Sequence, residues 1–184
     1  MRVVEKNAGV FLIENYLSAA LCQHYIAMGE EIGFVPSEVN LPTGSRRAED
    51  IRNNDRVVFD DPALAASLFE RACALLPQEI DGWRLAGFNE RFRFYRYSVG
   101  EYFKWHFDGV VELSPNEASR LTFMIYLNSD FEGGATDFKT ESIRPTAGTA
   151  LVFPHKLLHQ GAEMISGVKY VLRTDVMYRR DAHG

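Results

Sequence analysis

The hydrophobic pattern changes period near residue 88, and that change constrains the fold more than any other feature of the chain. In FNERFRFYRYSVG, Phe92 and Phe94 fall on one face, while Arg93, Tyr95 and Tyr97 fall on the other. This is the two-residue period of a strand. SRLTFMIYLN (119–128), the apolar run Ala150–Phe153 and KYVLRTDVMYRR (169–180) read as further strands, and GGATDFK as a turn with a short strand. Before residue 88 the spacing is helical. NYLSAALCQHYIAMGEEIGF sets Leu17, Leu21, Tyr25 and Met28 three or four apart, with Ser18 placed to cap. DPALAASLFERACALLP opens on Asp61-Pro62 and stops at Pro77. Short strands are expected over Val10–Ile13 and in IRNNDRVVF, and 35–50, broken by Pro and Gly, reads as a long loop of the kind that forms lids.

Two helices followed by seven or eight strands predict an α+β chain. The expected core is a double-stranded β-helix (jelly roll), with the N-terminal helices packed on the outer face of one sheet. A length of 184 residues fits a single domain over 1–184, with strand/helix support over 1–87 and the β-roll over 88–180. A roll encloses a pocket, so Arg93, Tyr95 and Tyr97 are expected to point inward. The competing expectation makes that face solvated, with Phe92 and Phe94 as core.

A net charge of −5 argues against a nucleic-acid or anionic-membrane partner. Cys22 and Cys73 form no CxxC and no zinc spacing, as expected of reduced thiols in a cytoplasmic protein. Polar residues interrupt every apolar run of MRVVEKNAGVFLIENYL, so no signal peptide is expected, and no stretch approaches the length of a membrane span.

FKWHFDG (103–109) carries the first chemical signal. His106 and Asp108 are two apart and share a face. A mononuclear non-haem Fe(II) centre needs three protein ligands on one face of an octahedron, leaving the other positions open. The third should be a His on a later strand, and FPHKLLHQG offers His155 and His159. HKLLH lacks the Glu that would make it a zinc-protease motif. Lys169, ten residues beyond His159, enters a strand; it is either a solvated lysine or a cation for the far carboxylate of a dicarboxylic acid. Arg173 and Asp175 share its parity and either line the pocket mouth or pair with each other. Phe107 has the opposite parity to the ligand pair and is expected to pack; Trp105 is expected at the wall or rim.

His106, Asp108, His159 and Lys169, in that order and spacing, resemble the prolyl-4-hydroxylase-like 2-oxoglutarate/Fe(II)-dependent dioxygenases. RFYRYSVGEYFKWHFDG, LTFMIYLNSDFEGGATDF and IRPTAGTALVFPHKLLHQGAEMISGVKYVLR are similar to the family's core, and FLIENYLSAALCQHYI, less densely, to its opening strand and helix. The resemblance implies Fe(II) on His106, Asp108 and His159, with 2-oxoglutarate and O2 as co-reactants and ascorbate as a further candidate cofactor. It implies Lys169, Tyr126 and Tyr97 as cosubstrate contacts. Apart from the resemblance, Arg93, Arg173 and Asp175 are expected from their charge to line the pocket or contact a charged substrate. Gly133-Gly134-Ala135-Thr136 resembles a structural turn of the family. The implied activity is hydroxylation of an unactivated C–H bond, with succinate and CO2 as co-products. The substrate is a protein prolyl residue or, as the alternative, a free amino acid or other small molecule. Trp105 stands where collagen-type relatives carry Pro. Two other possibilities are a non-catalytic metal-binding β-roll and a cupin-like enzyme that does not use 2-oxoglutarate.

Overall fold

The structure, a computed structural model, describes residues 1–41, 44–46 and 50–181, with 39–41 and 44–46 described by their strand pairing alone. Helix α1, Ala19–Ile32, starts where Ser18 accepts a hydrogen bond from the Leu21 backbone N–H at 3.3 Å. It ends at Gly33, and Cys22, Tyr25 and Gly29 form its buried face. Leu17 is buried but precedes the helix. Helix α2, Pro62–Ala72, is capped by Asp61, which accepts from Leu64 N–H at 2.9 Å. It tightens into a 3-10 turn over Cys73–Leu75, so the helix stops short of Pro77.

The strands form one large and one small antiparallel sheet, with two further two-stranded pairs. The large sheet runs Arg2–Glu5, Phe11–Glu14, Ala150–Pro154, Glu117–Tyr126, Lys169–Arg179, Arg91–Tyr97, Asp55–Asp60, Val35–Pro36. The small sheet orders Phe103–His106, His159–Gly161, Thr136–Phe138 and Ser142–Ile143. Part of 35–50 is strand: Val35–Pro36 pairs with Asp55–Arg56, and Val39–Leu41 pairs with Gly44–Arg46. Residues 42–43 and 47–49 of the expected lid lie outside the described residues.

Lys169–Arg179 is the central strand, and ten of its eleven residues are buried or nearly so. Its neighbour Arg91–Tyr97 is covered on both faces. Phe92 and Phe94 lie in the larger core cluster, stacked on Phe59 at 5.6 and 5.3 Å between ring centroids. That cluster also holds Cys22 and Tyr25 of α1 and Leu64, Ala65 and Leu68 of α2. Tyr95 and Tyr97 belong to a second cluster on the opposite side. The polar face therefore points into the roll, and the Phe face is core as well.

Candidate active site

The small sheet sets the two histidines side by side. His106 is registered opposite His159, with a register shift between Phe103 and His106. Just past the strand end, the Asp108 backbone N–H donates to the His155 carbonyl at 3.2 Å, which turns its carboxylate toward both rings. One ligand atom from each of His106, Asp108 and His159 lies within 4.8 Å of the others. His106 Nε2 is 3.8 Å from Asp108 Oδ1, and His159 Nε2 is 3.7 Å from Asp108 Oδ2. Each histidine directs Nδ1 at a backbone carbonyl two residues earlier, Lys104 O at 2.7 Å and Leu157 O at 2.9 Å. That bond places the proton on Nδ1 and leaves the Nε2 lone pair facing the cluster.

The electrostatics suit metal binding. Burial, then the neighbouring His159, lowers His106 to about 4, and burial lowers His159 as well, so both rings are neutral near pH 7. Burial opposes ionisation of Asp108, but Arg173, His159 and the Thr122 hydroxyl outweigh it and hold the carboxyl well below its usual range. Arg173 Nη1 lies 2.8 Å from Asp108 Oδ1, and Thr122 Oγ1 donates to Oδ2 at 2.5 Å. Two neutral imidazoles and one carboxylate, with their second atoms fixed by hydrogen bonds, fit a divalent first-row metal.

His155 is excluded from the cluster by its own bonds. It is 2% exposed, with Nδ1 2.9 Å from Thr122 Oγ1 and Nε2 2.8 Å from Ser119 Oγ. A chain Ser119–His155–Thr122–Asp108 results, reaching the carboxylate from behind.

One cavity is lined by His106, Asp108, His159, Tyr97, Thr136 and Lys169, among others. Lys169 is 2% exposed, which excludes the solvated alternative. Its Nζ donates to Gly134 O at 2.8 Å and lies 4.3 Å from the Tyr97 ring centroid. No carboxylate among the described residues pairs with it, and burial, opposed by Asp137, lowers it to about 7. Gly134 explains the Gly-Gly turn. Its φ is +62°, and a Cβ there would stand 2.4 Å from Met164 Sδ and 3.3 Å from Lys169 Cδ, so the close approach to the lysine needs a glycine.

Tyr126 shares the parity of Thr122 and Met124 but stands behind the wall rather than on it. Its hydroxyl is 2.7 Å from Thr136 Oγ1, and Thr136, not Tyr126, reaches the cavity lining. Arg173 and Asp175 do pair, at 3.1 Å, and Arg93 reaches Asp175 at 3.1 Å. Asp175 is wholly buried, while Arg93 and Arg173 line an adjoining outer chamber. Phe107 does not pack: it is 60% exposed. The strand stops at His106, so beyond it alternation no longer points a side chain at a covering layer. Trp105 is not among the residues lining the cavity; it is half-exposed and lies under Lys139, whose Nζ is 4.0 Å from the ring centroid. Sequence reasoning missed Thr122 and Arg52 and read Thr136 only as part of a turn; Thr122 carries no signal beyond a polar residue within the apolar run LTFMIYL.

Residues 92–174, the stretch holding all three cluster residues and Lys169, match the 2OG-Fe(II) oxygenase superfamily. The match covers somewhat less than half of the chain. The superfamily uses Fe(II), 2-oxoglutarate and O2. A PKHD-type hydroxylase of Prochlorococcus marinus (strain NATL1A) is 35% identical over 79 residues, 40% of this chain. That match spans 35% of the relative's length. Among solved structures, a Pseudomonas putida prolyl-4-hydroxylase superposes with a TM-score of 0.71 at 19% identity, covering 95% of this chain and 94% of that one. A Trichoplax adhaerens prolyl hydroxylase in complex with a hypoxia inducible factor peptide fragment gives 0.70 at 15%, covering 92% and 84%. The viral collagen prolyl hydroxylase of Paramecium Bursaria Chlorella virus-1 gives 0.65 at 22%, covering 93% and 97%. These likenesses establish the oxygenase jelly-roll fold. Among the described residues no helix is long and apolar enough to cross a membrane.

Proposed function

We propose that the chain is a 2-oxoglutarate- and Fe(II)-dependent dioxygenase that hydroxylates an unactivated C–H bond, with succinate and CO2 as co-products. One observation carries this: two neutral histidines with an ionised carboxylate, and a buried lysine without a carboxylate partner, line the same cavity. In this reading His106, Asp108 and His159 hold the metal, and the whole of 1–184 acts as one unit, with α1 and α2 supporting the outer face of the large sheet. Bound Fe(II) would supply the activation of O2 and the oxidation of the C–H bond, coupled to decarboxylation of 2-oxoglutarate.

The chain's own residues do the rest. Lys169 holds the far carboxylate of 2-oxoglutarate, with the Thr136 hydroxyl beside it and Tyr126 fixing that hydroxyl from behind. Tyr97 forms the wall over the lysine. Arg173 and Thr122 keep Asp108 ionised and oriented. The named neighbours are prolyl hydroxylases, one of them with a peptide bound, which supports a prolyl residue in a protein as the substrate.

The test is succinate formation from 2-oxoglutarate with added Fe(II), run with and without a panel of prolyl peptides and free amino acids. Turnover is expected in the wild type, at least uncoupled, and none in His159→Ala; His155→Ala is expected to keep its metal. A wild type that neither turns over nor binds 2-oxoglutarate would refute the proposal.

A further inference from the structure

The outer chamber beside the cluster is lined by Arg52, Arg56, Arg93 and Arg173, with Glu38 and Asp108 as its only acidic lining residues among those described. Arg93 and Arg173 are neutralised by Asp175 and Asp108. Arg52 and Arg56 have no ion-pair partner among the described residues. Arg52 is the unusual one. It is 4% exposed, its Nε donates to Asn54 Oδ1 at 2.6 Å, and its Nη2 has no hydrogen-bond partner. Its guanidinium carbon lies 4.6 Å from the Tyr95 ring centroid and 4.4 Å from that of Phe103. Phe103 in turn stacks on His106, with centroids 3.5 Å apart.

A buried guanidinium without an anion is expensive, and the two rings offset only part of that expense. A second arginine makes the arrangement worse. Arg56 sits opposite Tyr95 in the strand register, and its charge is disfavoured by burial and then by Arg52, with Glu38 opposing more weakly. Unrelieved repulsion of this kind, held in place by aromatic packing, is the signature of a site that an anion completes. The planar guanidinium fork matches a carboxylate. The chamber's other side is apolar: Phe107 and Val110, 60% and 48% exposed, share its lining.

We propose that Arg52, supported by Arg56, binds a carboxylate of the primary substrate, which is therefore an acid with an apolar body. This rests on the oxygenase reading above and narrows it. The carboxylate is that of a free N-acyl or amino acid, or the C-terminal or side-chain carboxylate of a peptide. Docking there places the substrate one aromatic ring away from His106, beside the oxidising centre. Both sources share the chemistry, and the test separates them.

The experiment is calorimetric titration of the protein loaded with Mn(II) and saturating 2-oxoglutarate. The probes are matched pairs: proline, N-acetylproline, N-acetylleucine and a Pro-containing tripeptide, each as acid and as amide, with inorganic phosphate as a separate anion. At least one acid is expected to bind about tenfold or more tightly than its amide, a difference of about 1.4 kcal/mol. Which pair shows it tells a small acid from a peptide. Arg52→Gln should abolish the difference, Arg52→Lys should retain part of it, and Arg56→Gln should reduce it, all with 2-oxoglutarate binding intact. Equal binding of every acid and amide, a preference for phosphate alone, or an undiminished difference in a folded Arg52→Gln protein overturns the proposal. Failure of the wild type to bind 2-oxoglutarate at all would instead refute the oxygenase reading.

Discussion

The two walls of the cavity are built differently. Thr122, Lys169 and Arg173 stand on strands of ten and eleven residues in the large sheet, each paired on both sides. His106 and His159 stand on strands of four and three residues in the small sheet, with a register shift between Phe103 and His106. On the large-sheet wall, side-chain positions are over-determined by continuous ladders and a packed core. On the small-sheet wall, the two Nδ1 bonds to backbone carbonyls and the stack on Phe103 do much of the positioning. The cosubstrate end is thus rigid without its ligand, and the metal end is the part a metal would tighten.

Substituting one residue on each wall should separate these roles most sharply. His159→Ala is expected to lose the rise in melting temperature that Fe(II) or Mn(II) gives the wild type, while its metal-free melting temperature changes little. Lys169→Met keeps that metal-induced rise and loses 2-oxoglutarate binding by about 100-fold, about 2.7 kcal/mol, the upper range for a charge-assisted hydrogen bond. Thermal melts and titrations of both variants check this. If Lys169→Met lost metal binding too, the walls would not be independent and the comparison would fail.

The same difference explains what could be seen in the sequence. The central strand was legible because long alternation leaves a strong periodic signal: Lys169, Arg173 and Asp175 share one face, and they do so in the fold. His106 and Asp108 were legible as a pair by their spacing, although the strand ends at His106 and Asp108 is set by its backbone bond to the His155 carbonyl rather than by alternation. Choosing between His155 and His159 was not a matter of period. It depends on hydrogen bonds from Thr122 and Ser119, residues more than thirty positions away. Phe107 went wrong for a related reason, since parity says which way a side chain points but not whether anything lies there. Arg52 gave no signal, because its significance comes from Tyr95 and Phe103 closing around it. Parity placed Tyr126 on the cavity side but could not show that its hydroxyl is bonded to Thr136.

A medium-sized effect is expected where the rigid wall reaches across to the metal end. Thr122→Val is nearly isosteric and removes the hydroxyl that donates to Asp108 and meets His155. Metal affinity should fall about tenfold, the usual loss when a ligand's hydrogen-bond partner is removed. Ser119→Ala strips the other nitrogen of His155, and the Val111 backbone N–H, of their partner but leaves the bonds of the Asp108 carboxylate in place. It should cost about 1–3 kcal/mol of stability for the unsatisfied buried group, with metal affinity unchanged. Denaturant melts and metal titrations of both variants distinguish the outcomes. Equal metal loss in the two would mean that His155 itself, rather than the Thr122 hydroxyl, positions the carboxylate.

The smallest effect is a proton, and it reports on the rigid wall alone. Burial holds Lys169 down to about 7, so a fraction of the ligand-free protein carries a neutral lysine at neutral pH. A dicarboxylate bound at that nitrogen favours the charged form and raises its pKa. Below pH 7 the lysine is already protonated and binding takes up no proton from it. Above pH 7 binding must draw a proton from solution, so affinity falls with rising pH, approaching tenfold per unit. Titrating 2-oxoglutarate into the Mn(II) protein at pH 6 and pH 8, in buffers of different ionisation heat, counts that proton directly. Close to one proton taken up at pH 8 and close to none at pH 6 is expected. Lys169→Arg, whose guanidinium stays charged throughout, should show the same count at both values. A wild type that matched the arginine variant would mean that the large-sheet wall holds its lysine charged before the cosubstrate arrives, and that burial without a carboxylate does not set its state.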